Sequence, residues 1–214
     1  MRGSHQCPAQ RARLDFTDPF LRDITRAIRH LYPETLREAQ LNYHEPEVLG
    51  IWRHTRRAKI EGASRSIAML HGHVAGTEQN RSGDNHTVIE SGRFLLTISR
   101  VEDQSEVPRR AQFRQEHAIH NQPLFAAMEE SETEQNCKFS VILIHGPSPR
   151  DSQNLGFVLL RFPTPSGKGW LSVSLNLLAL FAENDEVREG FSEEIIPDSI
   201  DPEIRTDQPR REEA

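Results

Sequence analysis

Residues 138–181 have the sequence KFSVILIHGPSPRDSQNLGFVLLRFPTPSGKGWLSVSLNLLALF, which contains the densest apolar runs of the chain. Phe139–His145 and Phe157–Phe162 are short apolar runs, and Trp170–Asn176 alternates apolar and polar residues, so all three predict strands. The two separators are rich in Pro, Gly and Ser and are too short for a parallel crossover, which needs a dozen or more residues. This stretch therefore predicts an antiparallel meander, with Leu177–Phe181 continuing its last strand.

Two further strands are predicted upstream. Thr87–Glu90 and Arg93–Val101 flank Ser91-Gly92, a dipeptide that suits a hairpin turn. The preceding His73–Asn85 is polar and contains glycine, which is typical of a loop. With the meander, this hairpin gives an antiparallel sheet of about five strands.

The first third of the chain predicts helices. Asp18-Pro19 is a helix start signal, and Pro33 is expected to interrupt this helix before a second short one over Glu34–Leu41. A third helix is expected from Pro46 to about Leu70, and a weaker pattern predicts another over Arg109–Asn121. The fold class is therefore α+β, with N-terminal helices packed on an antiparallel sheet.

Composition divides the chain into a body and two tails. Residues 183–214 carry 12 acidic and 4 basic side chains, a balance of −8, so residues 1–182 carry +2 of the total charge of −6. Such an acidic, Pro-containing segment cannot bury enough apolar surface to offset its ordering entropy. We expect a flexible tail over 1–16, a single domain over 17–182 (helical over 17–72, strand-rich over 86–182) and a disordered acidic tail over 183–214.

The location of the protein follows from what the sequence lacks. It has no apolar run of about 18 residues and no apolar leader, and its two cysteines do not suggest a disulfide framework. These features predict a cytoplasmic protein. The strong preference for arginine over lysine suggests a bacterial genome rich in G and C.

The third helix carries a row of basic residues. They are Arg53, Arg56, Arg57, Lys59 and Arg65. A row of this kind could contact the phosphates of a nucleic acid or an acidic protein partner, or it could be an ordinary solvated face. A non-enzymatic binding or regulatory protein that uses this Arg-rich face is the leading hypothesis.

The common catalytic motifs are missing. The chain contains neither GxxxxGK[ST] nor GxSxG nor HExxH, and we expect no cofactor. His117 and His120 would share one face of the predicted fourth helix, as a metal pair requires. A metal-dependent hydrolase or nuclease that uses these histidines is therefore an alternative hypothesis.

One peptide suggests a protein partner. Asn121-Gln122-Pro123-Leu124-Phe125 resembles the Gln-x-x-Leu-Phe peptides that insert Leu and Phe into the bacterial sliding clamp, with Asn in place of the leading Gln. The resemblance covers five residues and implies docking through Gln122, Leu124 and Phe125. A third hypothesis is thus a toxin-type or phage-defence-type inhibitor that docks on a replication protein. The alternative is a purely structural role, in which Leu124 and Phe125 pack on the sheet.

Overall fold

A computed structural model of the chain describes residues 7–80, 83–109, 111–121 and 138–185. Within these ranges the order of elements is three helices, three strands, one helix, three strands and one helix. The elements are α1 (Pro8–Phe16), α2 (Asp18–Asn42), α3 (Glu47–Leu70), β1 (Val74–Gln79), β2 (Asn85–Ser91), β3 (Phe94–Arg100), α4 (Gln112–Ile119), β4 (Phe139–Ser148), β5 (Asp151–Pro163), β6 (Trp170–Asn176) and α5 (Leu177–Asp185). The predicted α+β class, with N-terminal helices on a sheet, is confirmed.

The sheet has six described strands in the order of the sequence, β1 to β6. The predicted β2–β3 hairpin and the β4–β5–β6 meander are both present and antiparallel. The β3–β4 pair, however, is parallel, with Phe94 opposite Phe139 and Arg100 opposite His145. The prediction of an all-antiparallel sheet was therefore wrong, and the long connection between residues 100 and 139 gives the chain the length that a parallel crossover requires.

Three elements differ from expectation. β1 forms at the sheet edge, where its residues are largely exposed and so show no apolar alternation. Pro8–Phe16, expected to be part of a flexible tail, is a helix whose Phe16 is buried against Phe20 and Phe94. Leu177–Phe181 begins α5 instead of extending β6, since Leu177 and Phe181, one helical turn apart, both reach the core.

Helix α2 runs without a break through Pro33, contrary to the prediction of two helices. Its apolar stripe continues on both sides of the proline, from Ile24 and Ile28 to Leu36 and Ala39, and all four side chains are buried. Burial of this stripe outweighs the one backbone hydrogen bond that a proline removes. Helix α3 ends at Leu70, as predicted.

The sheet has a core on each face. The larger core joins α1, α2, α3 and α5 to side chains such as Leu96, Leu143 and Leu160. The alternate residues of β4 and β5 form a smaller core with Val101 and Trp170 on the opposite face. Across the described ranges, every helix is too short or too polar to cross a lipid bilayer.

Candidate anion-binding pocket

A cavity of about 430 Å³ opens at one edge of the sheet. Strand β3 ends there at Arg100, which is paired with His145 of β4, and β4 continues for three more residues to Ser148. Because these two strands are parallel, both direct their carboxyl ends toward this edge, a position where ligands bind in many sheets with parallel strands. Helix α3 forms one wall, and the segment from Val101 to Arg114 forms another.

The pocket walls are rich in charge. Six arginines line it, together with four acidic residues, so the lining has a formal charge of +2 with its histidines counted as neutral. The arginines are Arg53, Arg56, Arg57, Arg100, Arg109 and Arg114, and the acids are Glu61, Asp84, Glu102 and Glu106. This excess of guanidinium groups favours an anionic ligand.

Arg56 is the central feature of the pocket. Its side chain is 1% exposed, and its guanidinium lies between the rings of Trp52, at 4.2 Å, and Tyr32, at 4.4 Å. Neither terminal nitrogen, Nη1 or Nη2, has a hydrogen-bond partner among the described residues. Burial lowers the pKa of Arg56, and the neighbouring Arg100 and Arg53 act in the same direction. An arginine nevertheless stays charged at neutral pH, so a buried cation lines the pocket with its donors unused.

The two rings that hold Arg56 are themselves held in place. Trp52 donates its indole Nε1–H to Thr35 Oγ1 at 3.1 Å, and the Thr35 hydroxyl donates to the carbonyl of Leu31 at 2.6 Å. On the other side, the Tyr32 hydroxyl lies 2.9 Å from His145 Nδ1. Each group is tied to a different element, so the position of the guanidinium is fixed before any ligand arrives.

Tyr32 and His145 form a neutral pair behind the pocket. Burial raises the pKa of Tyr32 to about 12, and burial lowers the pKa of His145 to about 3, with a smaller contribution from the charges of Arg56 and Arg100. Both side chains therefore remain uncharged at neutral pH. Their hydrogen bond adds no anion that could compensate Arg56, and its direction depends on the imidazole tautomer.

Arg100 already holds a carboxylate. Its Nη1 and Nη2 donate to the two oxygens of Glu102 at 2.6 and 2.9 Å, a bidentate arrangement. Hydrogen bonding by Arg100 lowers the pKa of Glu102, and the charges of Arg53 and Arg56 lower it further. The Glu102 side chain is 62% exposed, so this carboxylate lies at the mouth of the pocket and is held only from one side.

The remaining arginines are held more loosely. Arg57 Nη1 lies 3.7 Å from the carboxylate of Asp84, and its Nη2 donates to the carbonyl of Asn85 at 3.3 Å. Arg114 donates to the carbonyl of Arg109 at 3.0 Å, and burial lowers the pKa of Arg114 to about 10. Arg57, Arg109 and Arg114 all line the pocket together with Arg56.

The structure brings only part of the predicted basic row into this pocket. Arg53, Arg56 and Arg57 line it, but Lys59 turns to helix α2, where it pairs with Glu34 and Glu38. Arg65 is exposed and is not part of the wall. Arg56 was expected on a solvated face, and it lies in the buried stripe instead.

Sequence reasoning missed two aspects of this site. Trp52, Arg56 and Ile60 are spaced four residues apart, a pattern that places Arg56 in the apolar stripe of α3 and could have identified it as buried. Arg100, Arg109 and Arg114 come from a strand end, a connection and a helix, so no local pattern joins them.

The predicted histidine pair is not brought together as a metal site. His117 Nε2 lies 3.2 Å from the carboxylate of Glu78 on β1, whereas His120 follows the end of α4 and is exposed. Among the described residues, no group of three or more His, Cys, Asp or Glu side chains could hold a metal ion.

The clamp-like peptide begins at a structural residue. Asn121 is 1% exposed, donates to the carbonyls of Ser140 and Pro163 at 3.0 and 2.9 Å, and accepts from the amide of Ser140 at 2.8 Å. It thereby fastens the end of α4 to β4 and β5. The docking residues Gln122, Leu124 and Phe125 lie outside the described residues, as does the predicted acidic tail from residue 186 onward.

Comparisons of the chain with models of protein families, with curated proteins and with solved structures found no match.

Proposed function

We propose that this protein is a nucleic-acid-binding protein that receives a phosphate group of its partner in the pocket around Arg56. The observation that carries the proposal is the Arg56 guanidinium, buried between two aromatic rings with both terminal nitrogens unpartnered. The proposal concerns binding and assigns no reaction to the chain.

A buried cation without a partner is costly in the free protein. Most buried polar groups in proteins are hydrogen-bonded, and each buried donor left without a partner costs about 1–3 kcal/mol. Arg56 has two such nitrogens in the wall of a cavity that already contains an excess of positive charge. An anionic ligand would supply the missing acceptors, which is why the arrangement supports a binding site.

The charge of the pocket favours phosphate over the carboxylates of an acidic protein. Glu102 occupies Arg100 with both oxygens and is attached to the same chain. A carboxylate from a partner makes the same hydrogen bonds but lacks the effective concentration of this tethered one, so it would compete at a disadvantage. A phosphate offers three acceptor oxygens and, at a chain end, nearly two charges, so it can outcompete Glu102 and still reach Arg56.

The rim supports a polymeric partner. Arg53 and Arg57 are exposed on α3 at the mouth of the pocket, and Arg109 is exposed across from them. A nucleic acid carries a phosphate at every nucleotide, so neighbouring phosphates could contact these rim arginines while one enters the pocket. Binding of this kind releases counterions and weakens steeply as salt is raised.

The test uses fluorescence anisotropy with a labelled single-stranded oligonucleotide that carries a terminal phosphate, over a salt series from 50 to 300 mM. We expect salt-dependent binding that falls about 10- to 100-fold in Arg56→Met, because hydrogen bonds to a charged group contribute about 1.5–3 kcal/mol. The double variant Arg53→Ala, Arg57→Ala should reduce the salt slope. Arg65→Ala, an exposed arginine of the same helix outside the pocket, is the matched control and should bind like the parent.

Two outcomes would count against the proposal. Binding that is unchanged in Arg56→Met would show that the pocket is not the site. A poly-glutamate peptide that binds as tightly as the oligonucleotide, with the same dependence on Arg56, would favour the acidic-protein alternative instead.

A further inference from the structure

The depth of the pocket restricts which phosphate can reach Arg56. Much of the lining is buried, including Arg56, Ile98, Val101 and His145, and one carboxylate, Glu61, is also buried there, where it accepts from the amide of Thr87. The outer wall consists of exposed ones, such as Arg53 and Glu102. A ligand group must therefore pass the rim before it meets the Arg56 nitrogens.

An internal phosphodiester is poorly suited to this depth. It carries a sugar on each side, so the chain must enter and leave together, and the phosphate stays near the mouth. A phosphate monoester has one substituent only and can enter with its three free oxygens leading.

The charge of the lining agrees with a monoester. Six arginines and four carboxylates give a formal charge of +2. A phosphate monoester carries about −1.5 to −2 at neutral pH, whereas a diester carries −1. Once Glu102 leaves Arg100, the remaining lining carries +3, and a monoester neutralises more of this charge than a diester does.

Glu102 marks the position where an anion is held at the entrance. Its carboxylate accepts from both terminal nitrogens of Arg100 and is influenced by the charges of Arg53 and Arg56. A monoester entering the pocket would accept the two hydrogen bonds that Arg100 now donates to Glu102, and the exposed Glu102 side chain would turn into solvent. No buried group is left unpaired by this exchange.

From these observations we infer that the pocket takes a terminal phosphate monoester, which displaces Glu102 from Arg100 and reaches Arg56. The inference rests on the proposed function and specifies its ligand as the phosphorylated end of a nucleic acid chain. A free nucleoside monophosphate has the same chemistry, so the experiment must separate the two sources.

The experiment compares four ligands by competition against one labelled, end-phosphorylated oligonucleotide. The competitors are the same oligonucleotide with a 5′-phosphate, with a 3′-phosphate and with hydroxyl groups at both ends, and a nucleoside monophosphate. We expect a phosphorylated end to compete at least 10-fold better than hydroxyl ends. The oligonucleotide should also exceed the mononucleotide, because only the polymer reaches the rim arginines.

Two variants test the exchange at Arg100. Glu102→Gln removes the resident charge and should strengthen binding of the phosphorylated end by about 3- to 10-fold. Arg100→Ala should weaken it by at least 10-fold. Both changes should alter the affinity of the hydroxyl-ended oligonucleotide less than that of the phosphorylated one. Arg65→Ala, the control, should leave all four affinities unchanged.

The outcomes distinguish a failure of the monoester inference from a failure of the proposed nucleic-acid binding. Equal competition by phosphorylated and hydroxyl ends, with binding still dependent on Arg56, would overturn the monoester inference and leave nucleic-acid binding in place. A mononucleotide as strong as the oligonucleotide would support the monoester and overturn the polymeric partner. Failure of every ligand to bind would overturn both.

Discussion

Replacing Arg56 by methionine should weaken binding about 10- to 100-fold without loss of stability, an unusual result for a residue that is 1% exposed. Methionine keeps an unbranched, flexible stem of similar length and makes favourable sulfur contacts with aromatic rings, here those of Trp52 and Tyr32. It introduces no charge and no donor. The change in the free energy of unfolding therefore reports the net contribution of the guanidinium group to stability.

The magnitude follows from the contacts. Two unpartnered buried nitrogens cost about 1–3 kcal/mol each, so their removal gains about 2–6 kcal/mol. Two cation–π contacts are lost at about 0.5–2 kcal/mol each, or about 1–4 kcal/mol in total. The balance spans from about a 2 kcal/mol loss to about a 5 kcal/mol gain, and its mid-range values predict that the free energy of unfolding of Arg56→Met exceeds that of the parent by about 1–2 kcal/mol.

Urea denaturation followed by tryptophan fluorescence measures this difference, with the parent and the variant compared in phosphate-free buffer. Leu21→Ala, in the fully buried core, is the control and should lose about 2–5 kcal/mol. Addition of an end-phosphorylated oligonucleotide should stabilise the parent alone, since a ligand of the native state raises its stability by mass action. A loss of more than about 2 kcal/mol in Arg56→Met would refute the reasoning, because the guanidinium would then be part of the stabilising core.

Three further predictions concern His145 of the pocket and two residues outside its lining, Asn121 and Lys59. Burial lowers the pKa of His145 to about 3 in the folded protein, whereas the unfolded imidazole has its ordinary pKa of about 6.5. The stability that this difference contributes is complete above pH 6.5 and is lost as the pH falls from about 6.5 to about 3, by about 1.4 kcal/mol per pH unit. His145→Gln should flatten that slope in a series of urea midpoints, and an unchanged slope would contradict the assignment. Asn121→Ala should lower the free energy of unfolding by about 2–4 kcal/mol, because buried groups of Ser140 and Pro163 lose their partner; a loss below about 1 kcal/mol would mean that water replaces the amide. Lys59→Ala should cost less than about 1 kcal/mol and leave oligonucleotide affinity unchanged, since its ion pairs with α2 are partly exposed; weaker binding would place Lys59 in the site.

Local signals in the sequence predict the elements that depend on local chemistry. The start of α2 at Asp18-Pro19 and the β4–β6 meander are present where the sequence places them, and the β2–β3 hairpin turns at Gly92-Arg93, one residue after the predicted Ser91-Gly92. A proline in the first helical turn, a glycine in a hairpin turn and apolar runs bounded by turn residues each act over a few neighbouring positions, although Asp18 makes no capping hydrogen bond in the structure.

Features that depend on distant partners were missed. The parallel β3–β4 pairing joins residues about 45 positions apart, and β1 is a strand only because β2 offers its edge. Pro33 was expected to divide α2, but the buried stripe on both sides keeps the helix intact. Propensity is overridden by tertiary packing in such places.

The candidate pocket was found in part. The Arg-rich helix forms one wall of the candidate pocket, and Arg53, Arg56 and Arg57 of the predicted basic row line it. The unpartnered state of Arg56 and its contact with Tyr32 could not be read from α3 alone, because the second ring belongs to another helix. The residues around Arg56 come from elements far apart in the sequence, and only the fold brings them together.

The parallel pair also divides the sheet into two units. Strands β1–β3 and β4–β6 are each joined by antiparallel neighbours, and within the described sheet the β3–β4 pair is the hydrogen-bonded seam between the two halves, both of which also pack against the helices. Local hairpins form sooner than pairings between distant segments, so we expect the seam to close late in folding. Arg100 comes from one half and His145 from the other. The pocket is therefore completed only by the last docking event, and its ability to hold an anion would report that the whole chain has assembled.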